Sequence, residues 1–420
     1  MKSQPLISIF GNHPALSLAE LLSRYELQAN AVLTVTDQGA CFHGSKLVRI
    51  DDLGGTMKIA GFLFRLPAPY TEDQITDALA DYLVSNCADR KEIVFAVSYH
   101  DNAGEPLDSK YICQGIKQRL KGKLSAKIRY ILPGEGPALS TAQVAYNQLA
   151  QADVSHSEFV LLPSGTETLI GRTEAIQDIA AYVARDENRP HRISSEGMMP
   201  LKLAQILINL ATPASMAQKS TGLLVDPFCG SGTILQEALR LGYDVFGSDL
   251  SNQAIKTSDS NIRWFLKHHG KKLTTRAQFL AYDARKIHEA LGDESTDVVV
   301  SEGYLGTMFS RHPTKTQLEQ ETDAHVSLYR SAFTSIYRIL KPGGRLVMTL
   351  PYYLEKRVSI YEQLLDALQQ IGYNQKSLLP DSILSTSPAY RNQLTGLQTC
   401  IYHRPSQIVG REIISLTKSA

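Results

Sequence analysis

The stretch LLVDPFCGSGTILQEALRLG (residues 223–242) places an apolar strand, a glycine turn and a helix in immediate succession. Residues 223–228 are apolar apart from Asp226, and the residues from Thr233 onward have helical spacing. Gly230 and Gly232 let the backbone pass close to a ligand without an intervening Cβ atom, while the start of the helix offers unpaired N–H groups. The stretch therefore predicts a ligand-binding turn at the carboxyl end of a strand.

The residues around this turn indicate which ligand it binds. The pattern G-S-G is not G-x-G-x-x-G, and no Gly-Lys-Ser/Thr follows, so neither a dinucleotide fingerprint nor a P-loop is present. Asp226 would repel a pyrophosphate, but it suits the positively charged amino-acid end of S-adenosylmethionine. At the ends of the next two strands, Asp249 is predicted to accept the ribose hydroxyls and Asp283 the adenine amino group. The predicted cofactor-binding set is Asp226, Phe228, Gly230, Gly232, Asp249 and Asp283.

The order of apolar runs and helical patterns differs between the two halves of the chain. From residue 201 onward, strands rich in Val, Leu and Ile alternate with helices, which predicts an α/β domain with a parallel sheet. The first half mixes short strands and helices in an α+β pattern. We predict an N-terminal lobe over residues 1–70, a second small domain over 71–165, a linker over 166–200 and the α/β domain over 201–420.

Composition narrows the class of protein. The chain has 420 residues, of which 43% are hydrophobic and 20% charged, and its formal net charge is +1, which argues against a uniformly basic polyanion-binding protein. No apolar stretch is long enough to span a membrane, and the N-terminus does not resemble a secretory signal. The five scattered cysteines include no C-x-x-C pair. These features predict a cytoplasmic protein with free thiols, without membrane association and without a metal site.

The stretch DPFCGSGT (residues 226–233) and the strand-end carboxylates resemble the class I S-adenosylmethionine-dependent methyltransferases. Within that class the chain resembles the THUMP-domain tRNA guanosine N2-methyltransferases of the guanosine-10 type. Segments throughout the chain share this resemblance: GNHPALSLAE (11–20), GGTMKIA (54–60), ALSTAQVAYNQL (138–149), GRTEAIQDIAAYVARDENRP (171–190), GMMPLKLAQILINLA (197–211) and HRPSQIVGREI (403–413).

The resemblance implies a Rossmann-like catalytic domain preceded by an α+β lobe and a THUMP RNA-binding domain. It also implies S-adenosylmethionine as cofactor, tRNA as partner and methylation of the exocyclic N2 of a guanosine. Methylation of another nucleobase or RNA, such as adenine N6 or a ribosomal RNA guanine, is one alternative. A non-catalytic RNA-binding protein that retains the cofactor fold is another. A small activating subunit and a homodimer are both left open.

The loop after the fourth strand departs from the family pattern. Enzymes of this kind usually have (Asp/Asn/Ser)-Pro-Pro-Tyr, whose first side chain and a following carbonyl accept hydrogen bonds from the exocyclic amine, and whose aromatic ring stacks on the base. Here residues 299–306 read VVSEGYLG. In one register Glu302 takes the acceptor position, which leaves Tyr304 one step early. In the other register Ser301 takes that position and Tyr304 keeps the aromatic one. We favour Glu302, because Gly306 then falls where the family commonly has glycine. Both prolines are absent in either register.

Between Ser109 and Gly134 the sequence contains no acidic residue but several cations. Such a segment in an otherwise neutral chain can contact phosphates, although a charge run is more often a solvated face. Together with the THUMP resemblance, it predicts an RNA-binding surface formed by Lys117, Arg119, Lys121, Lys123, Lys127 and Arg129.

Overall fold

A computed structural model describes residues 4–44, 48–101, 107–192, 198–213, 222–270, 275–307, 309, 311–405 and 407–419. Its chain divides into two compact units, residues 1–18 with 27–180 and residues 19–26 with 181–420. Over the described residues, no helix is both long and apolar enough to cross a membrane.

The first unit is built on one sheet of eight strands. The strands are β1 (Pro5–Phe10), β2 (Val32–Thr36), β3 (Gly39–His43), β4 (Thr56–Pro67), β5 (Glu92–Tyr99), β6 (Lys127–Ile131), β7 (His156–Pro163) and β8 (Glu167–Ile176), in the order β2-β3-β1-β4-β8-β7-β5-β6. The helices are α1 (Pro14–Arg24), which is divided between the units, α2 (Glu72–Asn86), α3 (Ser109–Lys121) and α4 (Thr141–Tyr146). Apolar residues of α2, α3 and β5 form a core cluster in this unit, which includes Ile75, Leu79, Phe95, Ile112 and Ile116.

This sheet differs from the predicted division at residues 70 and 166. Strand β8 lies between β4 and β7, so residues expected in a linker occupy the middle of the sheet. A strand that pairs on both sides satisfies its backbone groups within the sheet, as a linker cannot. The rest of the predicted linker contains α5 (Ile179–Glu187), while residues 193–197 lie outside the described part.

The second unit contains the predicted parallel sheet. After α6 (Leu201–Ala211) follow β9 (Leu223–Asp226), α7 (Thr233–Arg240), β10 (Asp244–Asp249), α8 (Asn252–His268), β11 (Ala277–Ala281), α9 (Ile287–Leu291), β12 (Thr296–Glu302), α10 (Lys315–Ile339) and β13 (Leu340–Tyr353). The remaining elements are β14 (Val358–Ser359), α11 (Leu365–Ile371), β15 (Tyr373–Gln375), α12 (Asp381–Thr386), α13 (Pro388–Arg391), β16 (Cys400–Tyr402) and β17 (Val409–Lys418).

The strand order is β11-β10-β9-β12-β13-β17-β15, with β14 beside β13 and β16 beside β17. The first five strands of this order pair in parallel, and β17 is antiparallel to β13. From β9 the chain proceeds outward through β10 and β11, and it then returns to place β12 on the other side of β9. The carboxyl ends of β9 and β12 therefore flank a topological switch point, where open α/β sheets bind their ligands.

Local signals explain where the helices beside this edge begin. Ser251 caps α8 by accepting a hydrogen bond from the Ala254 N–H. Helix α10 begins at Lys315. The side chains of Thr314 and Gln317 form a capping box there, and this pairing stabilises a polar first turn that hydrophobic periodicity does not reveal.

Candidate functional site

The turn between β9 and α7 needs both of its glycines, for different reasons. Gly230 and Gly232 have φ angles of +50° and +84°, in the left-handed region that side chains rarely adopt. A Cβ atom on Gly232 would also collide with the hydroxyl of Ser258 on α8. The Gly230 N–H donates to Asp249 Oδ2 at 3.1 Å, which ties the turn to the end of the neighbouring strand.

A cavity of about 340 Å³ opens beside this turn. Its lining includes Asp226, Phe228 and Gly230 from the turn, Asp249 from the end of β10 and Glu302 from the end of β12. Four of the six predicted cofactor residues thus meet one predicted base-binding residue in a single cavity. Of the residues that the structure describes, Gly232, Asp283, Ser301 and Tyr304 are not part of the lining. The volume falls within the range of small-molecule sites.

Asp226 contributes a buried carboxyl group to the lining of the cavity. Burial raises the pKa of Asp226 to about 7, although hydrogen bonds from the Ser301 hydroxyl (2.6 Å) and the Phe228 N–H (3.2 Å) oppose the rise. Within the described chain no basic side chain forms an ion pair with Asp226. Asp249 and Glu302 face it instead and raise its pKa further. A buried carboxylate that is paired only with neutral donors is suited to a cationic ligand.

Ser301 is fully buried, and its hydroxyl donates to Asp226 Oδ1. In the register that uses Ser301 as the base acceptor, this side chain would have to face a base. The structure turns it toward Asp226 instead, because side chains alternate between the two faces of strand β12. The arrangement therefore favours the register that uses Glu302.

Glu302 lines the cavity, and one of its two carboxylate oxygens is already hydrogen-bonded within the protein. Arg411 on β17 donates from Nε to Glu302 Oε1 at 2.5 Å. The Arg411 side chain is only 3% exposed, whereas that of Glu302 is 22% exposed on its cavity side. Burial raises the pKa of Glu302, and the nearby Arg411 charge and hydrogen bond counteract this. Sequence reasoning did not predict Arg411, since it lies more than a hundred residues away in a segment noted only for its resemblance.

The loop after Glu302 lacks the two prolines, and hydrogen bonds and close contacts hold it instead. The Gly303 N–H donates to the Thr349 carbonyl at 3.0 Å, and the Tyr329 hydroxyl donates to the Tyr304 carbonyl at 2.7 Å. Gly306 has a φ angle of +88°, and a Cβ atom there would meet His325 and Glu321 at less than 3 Å. These contacts supply the rigidity that the absent prolines would otherwise give.

The Tyr304 side chain ends a column of stacked rings. Its ring lies 5.7 Å from that of His325 at an interplanar angle of 25°, and His325 lies 6.0 Å from Tyr329 at 15°. Tyr304 is 55% exposed, although His325 and Tyr329 are buried. An exposed aromatic face on a rigid support can stack against a planar ring such as a nucleobase.

The two other strand-end carboxylates differ in their surroundings. Asp249 lines the cavity and accepts from the N–H groups of Gly230 and Ser251, so it also organises the turn. Asp283 instead accepts from the Arg285 backbone and guanidinium, with the shortest contact at 2.5 Å. The Arg285 partner lowers the pKa of Asp283. Asp283 thus has the local cap and ion pair of a strand end, and the structure does not bring it to the cavity.

The predicted RNA-binding cations lie on the first unit, mostly beside acidic side chains. Arg119 pairs with Asp73 and Asp77, Lys123 with Asp81, and both Lys127 and Arg129 with Glu92. Lys117 lies over the Tyr130 ring. Helix α2 supplies Asp73, Asp77 and Asp81. The segment from Ser109 to Gly134 contains no acidic residue itself, but several of its cations pair with carboxylates from other segments. The geometry reduces the positive field expected of Lys117, Arg119, Lys121, Lys123, Lys127 and Arg129.

The second unit has the fold of a class I S-adenosylmethionine-dependent methyltransferase, and its site implies that cofactor. The glycine turn would accommodate the close approach of the ligand, Asp226 would face its cationic amino-acid end, and Asp249 would accept hydrogen bonds from its ribose hydroxyls. In the described part of the chain, no group of His, Cys, Asp or Glu side chains could hold a metal ion.

Comparisons with known proteins agree with this class. Residues 218–404 match the model of a methyltransferase domain, and residues 137–260 match a DNA methylase model. The chain is 29% identical over 180 residues to a tRNA (guanine(10)-N2)-dimethyltransferase of Methanothermobacter thermautotrophicus, covering 42% of this chain and 46% of the relative. It is 31% identical over 140 residues to the mouse U6 snRNA (guanine-N(2))-methyltransferase THUMPD2, covering 33% of this chain and 22% of the relative. The resemblance to this group of methyltransferases is confirmed, although the aligned region spans less than half of each relative.

The fold comparison extends over both units. The structure of TrmN from Thermus thermophilus matches with a TM-score of 0.52 at 16% identity, covering 99% of each chain. At this identity the match concerns the fold alone. The assignment of residues 71–165 to a THUMP-like domain stays a prediction.

Proposed function

We propose that this protein is a tRNA methyltransferase that modifies the exocyclic N2 of a guanosine. The observation that carries the proposal is that Glu302 lines the cavity, two residues before Tyr304, whose ring is exposed. The names of the relatives support guanine N2 as the target, and that of the Methanothermobacter relative supports position 10 of tRNA. All five cysteines are free and buried, in keeping with a cytoplasmic location.

The chemistry explains why these two side chains suit this reaction. The bound cofactor supplies an electrophilic methyl group. The exocyclic amine of guanine is a poor nucleophile, because its lone pair is delocalised into the ring. Glu302 can accept a hydrogen bond from that amine and so localise the lone pair, while the Tyr304 ring orients the base. The proton displaced from the nitrogen passes to solvent.

Asp226 and Ser301 serve this scheme indirectly. Asp226 would bind the cationic end of the cofactor, and Ser301 holds the Asp226 carboxyl group in one orientation. In this scheme Ser301 touches neither the base nor the reacting atoms. Its loss should weaken cofactor binding, whereas loss of the Glu302 charge should slow methyl transfer.

The test is single-turnover methylation of unmodified tRNA, with the product nucleoside identified by mass spectrometry. Glu302→Gln preserves the shape but replaces an anionic acceptor by a weaker neutral one. We expect methylation to slow about ten- to a thousand-fold, with tRNA and cofactor affinities close to wild type. Tyr304→Phe retains the stacking ring and should keep most activity, whereas Tyr304→Ala should lose it.

Three outcomes would contradict the proposal. An N6-methyladenosine product would establish another target base. Binding of tRNA and cofactor without methyl transfer would support the non-catalytic alternative. An unaffected rate in both Glu302→Gln and Tyr304→Ala would show that the base is held elsewhere.

A further inference from the structure

Glu302 and Arg411 form an ion pair that the family motif does not explain. Arg411 projects from β17, which is separated from β12 by the intervening strand β13. Its side chain is almost completely buried, and its Nε donates to Glu302 Oε1. Because the cavity side of Glu302 stays partly open, the pair has one protein-facing end and one ligand-facing end.

Burial and the nearby Asp226 carboxyl group would otherwise disfavour a negative charge on Glu302. Burial is the largest influence on its pKa and raises it. The Asp226 carboxyl faces it from β9, and the Tyr329 hydroxyl faces it from α10. Arg411 on β17 is the cationic group that favours the ionised form. Without Arg411, a desolvated Glu302 beside Asp226 would retain its proton to higher pH.

The protonation state of Glu302 decides which base edge it can bind by hydrogen bonds. An ionised carboxylate only accepts hydrogen bonds. Guanine presents two adjacent donors, N1–H and the N2 amine, whereas adenine presents its amine beside the lone pair of N1. A carboxylate attracts the first edge and repels the lone pair of the second. A protonated Glu302, or the neutral amide of Glu302→Gln, has a hydrogen-bond donor of its own. Either side chain therefore loses the preference for the guanine edge.

We propose that Arg411 is a positioning residue that holds Glu302 as an anionic acceptor and thereby makes the site select the guanine edge. The inference rests on the proposed function, because it takes the base to be bound at Glu302. It adds the residue that sets the selectivity and the physical basis of that selectivity.

The first test compares the pH dependence of single-turnover methylation in wild type, Arg411→Gln and Arg411→Lys. Activity requires ionised Glu302, so it is present above the pKa of that residue and is lost as the pH falls through it. Removing the Arg411 charge should move this acid limb upward by one pH unit or more. Arg411→Lys keeps a cation without the Nε geometry and should shift it less. Cofactor affinity at pH 8 should stay within about threefold, because Asp226 and the glycine turn are unchanged.

A matched control is Arg338→Gln. Arg338 also donates from Nε to a carboxylate in the second unit, Asp293, at 2.9 Å, but that pair is about half exposed. Its loss removes the same charge and the same kind of contact away from the cavity. The acid limb of this control should coincide with that of wild type.

The second test measures selectivity directly. Placing 2-aminopurine at the methylated position keeps the 2-amine but replaces the N1–H donor by a lone pair. Wild type should methylate this substrate at least tenfold more slowly than the guanosine substrate. In Glu302→Gln and Arg411→Gln, the ratio of the guanosine rate to the 2-aminopurine rate should be smaller than in wild type, even where both absolute rates are lower.

A third measurement is independent of activity. In protein labelled with ¹³C at the glutamate carboxyl carbon, the Glu302 signal is assigned by its loss in Glu302→Gln and titrated without cofactor. Its midpoint should rise in Arg411→Gln. An unchanged midpoint with an unchanged acid limb would overturn the inference. If wild type methylates no tRNA at any pH, the proposed function fails while this titration still tests the ion pair. If Arg411→Gln does not fold, Arg411→Lys provides the same comparison with a smaller expected shift.

Discussion

Replacing Asp226 by asparagine should stabilise the protein without cofactor while weakening cofactor binding. The buried Asp226 has a pKa of about 7, against an ordinary value of 3.8. Between these values the folded state holds a proton that the unfolded state has released, so stability falls as the pH rises through this window. Asparagine keeps an acceptor oxygen for the Ser301 hydroxyl and the Phe228 N–H, but it does not titrate.

The shift sets the size of the effect. A rise of roughly three pKa units corresponds to a destabilisation of about 4 kcal/mol at pH 8, and of about 1.5 kcal/mol at pH 5. Any fixed cost of burying the amide is the same at both values. The difference in stability between Asp226→Asn and wild type should therefore grow by about 2–3 kcal/mol, in favour of the variant, from pH 5 to pH 8.

Scanning calorimetry from pH 5 to pH 8 measures this difference, applied to the transition that added S-adenosylmethionine shifts. For a unit of this size, the growing gap corresponds to roughly 4–12 °C in Tm. Isothermal titration calorimetry should show cofactor binding about ten- to a hundred-fold weaker in the variant, since a charge-assisted hydrogen bond contributes about 1.5–3 kcal/mol. Asp283→Asn is the control, because the pKa of Asp283 is lowered and its loss cannot produce the same trend. A Tm difference that does not change with pH would refute the reasoning.

Two further predictions concern the outlying parts of the site. Asp249→Ala should weaken cofactor binding by about 1–3 kcal/mol in calorimetry, whereas Asp283→Ala, which lies outside the cavity lining, should leave the dissociation constant within about twofold; equal losses would return Asp283 to the site. Neutralising Lys117 and Lys121 should reduce the slope of log tRNA affinity against log salt by about two units, since each phosphate contact contributes about one. Neutralising Arg119 and Lys123 should change this salt slope less, because both already pair with carboxylates of α2. If the slope is the same in wild type and in all variants, the segment is a solvated face.

The sequence by itself determined the class of fold and the position of the cofactor site. Asp226 and Asp249 end neighbouring strands of a parallel sheet, Gly230 follows the first of them, and the carboxyl ends of such strands meet at one edge. Their proximity therefore follows from local patterns that are readable one strand at a time. The N-cap at Ser251 is equally local, because it involves only Ser251 and Ala254.

Only the tertiary structure decided which of these groups work together. Arg411 approaches Glu302 from a strand more than a hundred residues away, Ser301 turns to Asp226, and carboxylates of α2 pair with Arg119 and Lys123. Strand β8 likewise enters the middle of a sheet, although it falls within the range predicted to be a linker. Each of these outcomes depends on pairing between distant segments, and the strength of an ionic contact depends on its burial and on neighbouring charges. Local sequence patterns reveal neither the pairing of distant segments nor the burial of an ionic contact, because both arise only in the folded chain.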